Sequence, residues 1–185
     1  MSKKLMLSEL KPGSVFGTEL GEFIVLDQDS EYGCTKVITK NLYAEDVRFG
    51  RTCNYLESNL KKLMDGEITD EFKAAFGDAL LEHEVDVVSV DMQNYGVLKS
   101  FVRPLTFDEA RKYNQNLVNK GLPDWWWTCT PWSTEDRGWK YSVAVVCPSG
   151  VIIYLNCYYG NVRGVRPFCI LKSSLFVSVE EEENE

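Results

Sequence analysis

Chemistry needs groups that exchange protons, attack a substrate or hold a cation, and this sequence spaces few of them usefully. His83 is the only histidine in 185 residues. Multi-histidine metal sites are therefore excluded, and any Ser-His-Asp or Cys-His arrangement would have to use it. It lies in Leu80-Leu81-Glu82-His83-Glu84, after a helical pattern and before a strand pattern. A surface position near a helix C-terminus is expected there. The six cysteines are Cys34, Cys53, Cys129, Cys147, Cys157 and Cys169, with no C-x-x-C pair among them. That spacing offers neither a zinc knuckle nor a thioredoxin-type motif. Their apolar surroundings and the length of the chain point to free, buried thiols rather than a disulfide framework. Asp27-Gln28-Asp29-Ser30-Glu31 begins like a calcium loop, but Gly33 is misplaced for the sharp turn and no glutamate closes the loop. A polar hairpin turn is expected instead. No Gly-rich phosphate loop is present. The expectation is a non-enzyme with no cofactor and no metal.

Aromatic residues are the richer signal. All five tryptophans fall between positions 125 and 139. Trp125, Trp126 and Trp127 are consecutive, so in a strand Trp126 points opposite to its neighbours. At least one face of that strand is core. Trp132 and Trp139 lie in a polar loop with Ser133, Thr134, Glu135, Asp136 and Arg137. Loop tryptophans either pack the loop onto its own sheet or form a contact surface. Tyr158, Tyr159 and Arg163 sit on an adjacent bend and would complete one aromatic, mildly basic patch with Trp132, Arg137 and Trp139. Arg166, in Gly164-Val165-Arg166-Pro167, reads as a structural guanidinium tying strand to loop.

Elements must hold these residues in place. Residues 22–27 and 34–39 read as paired strands. Leu56, Leu60, Leu63 and Met64 share one helical face, with Asn54 as a cap, and Phe72, Ala75, Phe76 and Leu80 share another. Residues 85–91 read as a strand, and the chain turns at Gly96 into 100–103. Thr106 and Glu109 have capping-box spacing, which predicts a helix from 106 to about 119, stopped by Gly121. Residues 141–147 and 151–157 form a hairpin around Pro148-Ser149-Gly150, and residues 164–171 supply a last strand. The fold class is α+β: two or three helices packed on an antiparallel sheet, over a single domain 1–179. The acidic segment 180–185 is a disordered tail.

The net charge of −8 is unevenly spread. Residues 1–99 carry 11 basic and 18 acidic side chains, whereas residues 100–179 carry 9 basic and 5 acidic ones. Direct nucleic-acid binding is disfavoured, because phosphates call for a basic stripe. An acidic surface suits a basic protein partner, including one that ordinarily holds nucleic acid. No apolar run is long enough for a membrane span or a signal peptide, so a cytoplasmic place is expected.

Trp125-Trp126-Trp127-Thr128-Cys129-Thr130-Pro131, the hairpin glycine Gly150 and the closing Gly164-Val165-Arg166-Pro167 resemble a domain family of unknown function from bacteria and prophages. Its members carry Trp-Trp-Leu-Arg-(Ser/Thr)-Pro and Gly-Val-Arg-Pro. The phrase Ser58-Asn59-Leu60-Lys61-Lys62-Leu63 and the segment Arg103-Pro104-Leu105-Thr106 with Glu109, Ala110 and Tyr113 are similar to further parts of that family. Where the family has arginine, this chain has Thr128. The family in turn resembles the C-type-lectin and formylglycine-generating-enzyme group of folds, which implies a C-type-lectin-like C-terminal half. The calcium motifs of sugar-binding lectins are absent, and the catalytic cysteine pair of the oxidases has no counterpart by motif. The resemblance implies a phage or mobile-element protein, in a bacterial host cell, that binds a host macromolecule. Inhibition of a host defence system in the manner of anti-CRISPR proteins fits this reading. The alternative is a lectin-like or receptor-binding module of a phage or bacterial surface structure.

Overall fold

A computed structural model of the chain describes residues 2–158 and 160–180. The first strands are β1 (Ser2–Met6), β2 (Val15–Thr18), β3 (Gly21–Asp29), β4 (Cys34–Thr39) and β5 (Ala44–Arg48). Helices α1 (Asn59–Leu63) and α2 (Thr69–Phe76) follow. Then come β6 (Leu80–Leu81), β7 (His83–Val88), β8 (Asn94–Ser100) and β9 (Val102–Arg103). Helices α3 (Phe107–Lys112) and α4 (Asn114–Leu117) precede β10 (Trp126–Pro131), β11 (Ser142–Val146), β12 (Ile152–Asn156), β13 (Val162–Val165), β14 (Phe168–Lys172) and β15 (Phe176–Glu180).

The α+β expectation holds coarsely, as a mostly β chain with few short helices. The one antiparallel sheet expected is instead two sheets and a hairpin, with one parallel pair. One sheet runs β1-β15-β2-β3-β4-β14-β6, with β9 also on β14, and a second runs β12-β11-β10-β13-β5. β7 and β8 form a separate hairpin. The chain changes sheet at Arg166-Pro167, and β10 pairs with β13 in parallel. Burial explains the switch. Phe168, Cys169 and Leu171 are apolar on both faces of β14, so that strand needs a central position and finds one beside β4.

Alternate residues of the same strands enter two different cores. Val25, Val37, Trp127, Val143, Val145 and Leu171 join Leu60, Met64, Phe72 and Phe76 from the α1–α2 region. Ile24, Leu26, Ile38, Trp126, Val146 and Phe168 join Ala110, Tyr113 and Leu117 from α3 and α4. Both faces of the tryptophan strand are therefore core. Strand period two makes this possible, since each strand offers an apolar row to each side.

The helix expected over 106–119 is broken at Tyr113 (φ −98°, ψ 12°) and ends at Leu117. Its capping box forms, with Thr106 Oγ1 accepting from Glu109 N at 3.1 Å and Glu109 Oε2 accepting from Thr106 N at 2.9 Å. The break follows from Asn114-Gln115-Asn116, a weak helical run whose Asn114 donates to Gly150 O at 2.7 Å. Asn54 caps a short 3-10 turn, and Ser58 caps α1 itself. Glu180, expected to open a disordered tail, is the last residue of β15 opposite Ser2. Residues 181–185 of that tail lie outside the described residues.

Candidate functional site

The loop between β10 and β11 is held at both ends and underneath. Trp132 N donates to Ser142 O at 2.8 Å, and Ser142 N donates to Trp139 O at 3.1 Å. Inside the loop, Trp139 N reaches Thr134 O at 2.9 Å, and Gly138 makes the reversal at φ +84°. Asp91, beyond β7, accepts from Ser133 Oγ and from Arg137 Nη1 through Oδ2, both at 2.6 Å, and from Ser89 through Oδ1. These donors, Ser133 and Ser89 foremost, hold its carboxyl down at about 2. Tyr95 Oη adds a bond to Ser133 O at 2.8 Å. The loop is thus fixed by its own hydrogen bonds.

On this frame the aromatic side chains form a chain of ring contacts. Phe107 meets Trp132 edge-on at 6.5 Å, Trp132 meets Tyr154 at 5.2 Å, and Tyr154 meets Trp139 edge-on at 5.1 Å. Arg111 lies over Phe107 at 5.5 Å. Trp132 is half-buried, whereas Trp139 is 36% and Tyr154 47% exposed. Tyr154 shares the face of β12 that carries Ile152 and the α3–α4 core.

The single patch expected from the sequence is divided. Trp132 and Trp139 come together through Tyr154, which sequence reasoning passed over. Arg137 is engaged by Asp91. Tyr158 stacks on Tyr141 at 5.0 Å, and Arg163 lies over Trp125 at 5.9 Å with Asp124 at 3.9 Å. Tyr141 and Trp125 pack toward the α1–α2 core, so these two groups belong to the other face of the sheet. Tyr159 lies outside the described residues. The alternation of Ile152 and Tyr154, and the place of Phe107 one residue past a cap, were the signals for the two aromatic residues that were missed.

Trp126 and Trp127 are fully buried, one in each core, and Trp125 is half-buried. Arg166 is fully buried too. It donates from Nε to Thr39 O at 2.9 Å and from Nη1 to Leu117 O at 3.0 Å, with its guanidinium 5.2 Å from the Trp126 ring. Desolvation lowers it to about 10. Gly164 sits in register with Trp126, and its N donates to Trp125 O at 2.8 Å. The two halves of the motif therefore meet in space.

His83, Arg103, Glu109 and the cysteines are engaged or buried in the fold. His83 is not a surface residue near a helix C-terminus. It opens β7, takes a hydrogen bond on Nε2 from Arg103 Nε at 3.1 Å and meets Phe168 edge-on. Burial, and then the Arg103 cation, push it down to about 4. Arg103 also grips Glu109 with two bonds of 2.7 Å. All six cysteines are free and buried. Desolvation raises their thiols, Cys129 and Cys157 to about 12, which is opposite to what a nucleophile needs. Among the described residues no three His, Cys, Asp or Glu side chains gather where they could hold a metal ion. No helix is long and apolar enough to cross a membrane.

No family model matches the sequence, and it matches neither a curated protein nor a solved structure.

Proposed function

We propose that this chain is a non-catalytic interaction protein that binds a protein partner through the Trp132–Tyr154–Trp139 surface. The observation that carries this reading is the exposure of Trp139 and Tyr154 on a loop already pinned by Asp91. Rigid, half-exposed aromatic side chains suit an anchor, because little conformational freedom is lost on binding. The net charge of −8 favours a basic partner, such as a protein that normally holds nucleic acid. Likeness of the Trp-Trp and Gly-Val-Arg-Pro segments to a prophage domain supports a host macromolecule as target. An inhibitor of a host defence nuclease, of the anti-CRISPR type, is the specific form proposed.

The test uses purified basic host proteins, CRISPR effector nucleases among them, and follows association and dissociation separately. Raising salt should slow association, since long-range attraction is screened. Trp139→Ala or Trp132→Ala should mainly speed dissociation, by about 2 kcal/mol, or roughly thirtyfold, at an anchor position. Folded variants that bind unchanged would remove the loop as the site. A lectin-like module is the second reading, favoured by the exposed Trp139 beside the polar Thr134 and Asp136. Retention on a glycan column, abolished by Trp139→Ala, would select it.

A further inference from the structure

β12 differs from the other sheet edges. From Tyr141 to Val162 the chain carries no charged residue, a run of 22 positions between Lys140 and Arg163. The opposite edge of the same sheet, β5, carries Glu45, Asp46 and Arg48, with Asp46 at φ +54°. β1 carries Lys3 and Lys4, and β6 is only two residues long. β8 carries Lys99 and lies beside a register shift. Charge, irregularity and shortness keep edges from recruiting other strands. β12 has none of these.

Its backbone is also available. Cys147 N donates to Val151 O at 2.8 Å and Cys157 N to Tyr141 O at 2.7 Å, and the register between them is unbroken. Antiparallel alternation then turns the N–H and C=O of Ile153 and Leu155 toward β11, and those of Ile152 and Tyr154 away from it. Among the described residues the outward groups of Ile152 and Tyr154 have no partner, while Asn156 O, which faces the same way, accepts from Asn161 Nδ2 at 2.8 Å and keeps one lone pair for a second donor. Exposed apolar side chains gather along the same edge. Trp139, Val151, Tyr154 and Tyr158 are four of the nine large ones among the described residues.

We propose that β12 is a self-association edge: a second copy of the chain pairs its own β12 antiparallel to the first, about a two-fold axis at Tyr154. The character of the strand selects this occupant. A strand rich in lysine or aspartate would find no counter-charge along it. An uncharged, β-branched strand with outward donors and acceptors at the same spacing fits, and Val151-Ile152-Ile153-Tyr154-Leu155-Asn156 is such a strand. With Tyr154 opposite its copy, the two residues exchange both hydrogen bonds, and Ile152 lies opposite Asn156 of the second copy. The axis stands perpendicular to the sheet, so like faces stay together and both Trp139–Tyr154 pairs come to one side. Each copy carries −8, so salt should strengthen the pair. This is opposite to the effect of salt on capture of a basic partner, so the two proposals fail separately.

Sedimentation velocity of the full chain, from micromolar to hundred-micromolar concentration and at two salt levels, reads the association. The expected result is a monomer–dimer equilibrium that salt shifts toward dimer. Tyr154→Pro deletes an outward N–H that takes no part in the β11 ladder, so the fold persists and the chain becomes monomeric. Tyr154→Ala keeps that donor and still dimerises, more weakly. Tyr154→Lys, at a side chain 47% exposed, sets two like charges opposite each other at the axis and also gives monomer. Hydrogen exchange should show Ile153 and Leu155 amides protected at every concentration, and Ile152 and Tyr154 amides protected only as concentration rises. A wild-type chain that stays monomeric throughout overturns the proposal. So does a dimer indifferent to both Tyr154→Pro and Tyr154→Lys. Protection of the Ile152 and Tyr154 amides only on adding another protein would put a different strand on this edge and also overturn it.

Discussion

Arg103 holds His83, Glu109 and the Pro104 carbonyl at once, with its guanidinium 4.5 Å from the Phe168 ring. Nothing local in the sequence foretells this. Glu82-His83-Glu84 looks like a solvated helix end, and the partner that removes it from solvent lies twenty residues on, reached only once β9 and β7 are in place. The consequence is a pH dependence. His83 stays neutral in the folded chain down to about pH 4, whereas an unfolded histidine takes its proton near 6.5. Between those values the unfolded state binds more protons, so stability falls as pH falls from about 6.5 to about 4. His83→Gln can still offer Arg103 an acceptor and does not titrate. Denaturant unfolding at neutral and mildly acid pH should show that the variant loses less stability across this window, by up to about 3 kcal/mol. Equal losses in both proteins would refute the assignment. Arg166, expected as a guanidinium tying strand to loop, is buried between the carbonyls of Thr39 and Leu117. Arg166→Lys keeps the charge but cannot span the carbonyls of Thr39 and Leu117. Thermal unfolding should show a loss of about 2 kcal/mol or more.

At the scale of elements, local hairpins were readable and distant pairings were not. The β3–β4 and β11–β12 hairpins follow from alternation and turn residues, because each partner is the next segment of chain. The parallel β10–β13 pair and the return of β14 to the first sheet depend on strands far apart in sequence, and alternation does not encode which strand lies beside which. The same limit hid the aromatic surface. Trp132 and Trp139 were visible in their loop, while Tyr154, which joins them, belongs to another strand. Leu42, in the segment between β4 and β5, explains Gly164. A Cβ there would lie 2.5 Å from Leu42 Cδ1 and 3.0 Å from its Cγ, so the whole Leu42 side chain would have to move. Gly164→Ala should cost about 1–3 kcal/mol. Adding Leu42→Ala should make the two losses less than additive in a double-mutant cycle. Additive losses would place the strain elsewhere.

For the molecule as a whole, the six buried thiols give a direct measure of global opening. In denaturant without reductant, thiol counting should recover nearly all six, and the native chain should react far more slowly at each. Rapid native labelling of Cys129 or Cys169 would contradict their placement. A different consequence comes from β10. Trp126 and Trp127 are sequence neighbours, yet each is rooted in a separate core on an opposite face of one strand. Their shared peptide bond couples the two cores mechanically, so one cannot melt while the other keeps its tryptophan in place. β10 thus joins β3, β4, β11 and β14 in linking the two layers, and unfolding should be cooperative across both. Single-tryptophan reporters at 126 and at 127 should trace superimposable unfolding curves, although the side chains they watch never touch the same core.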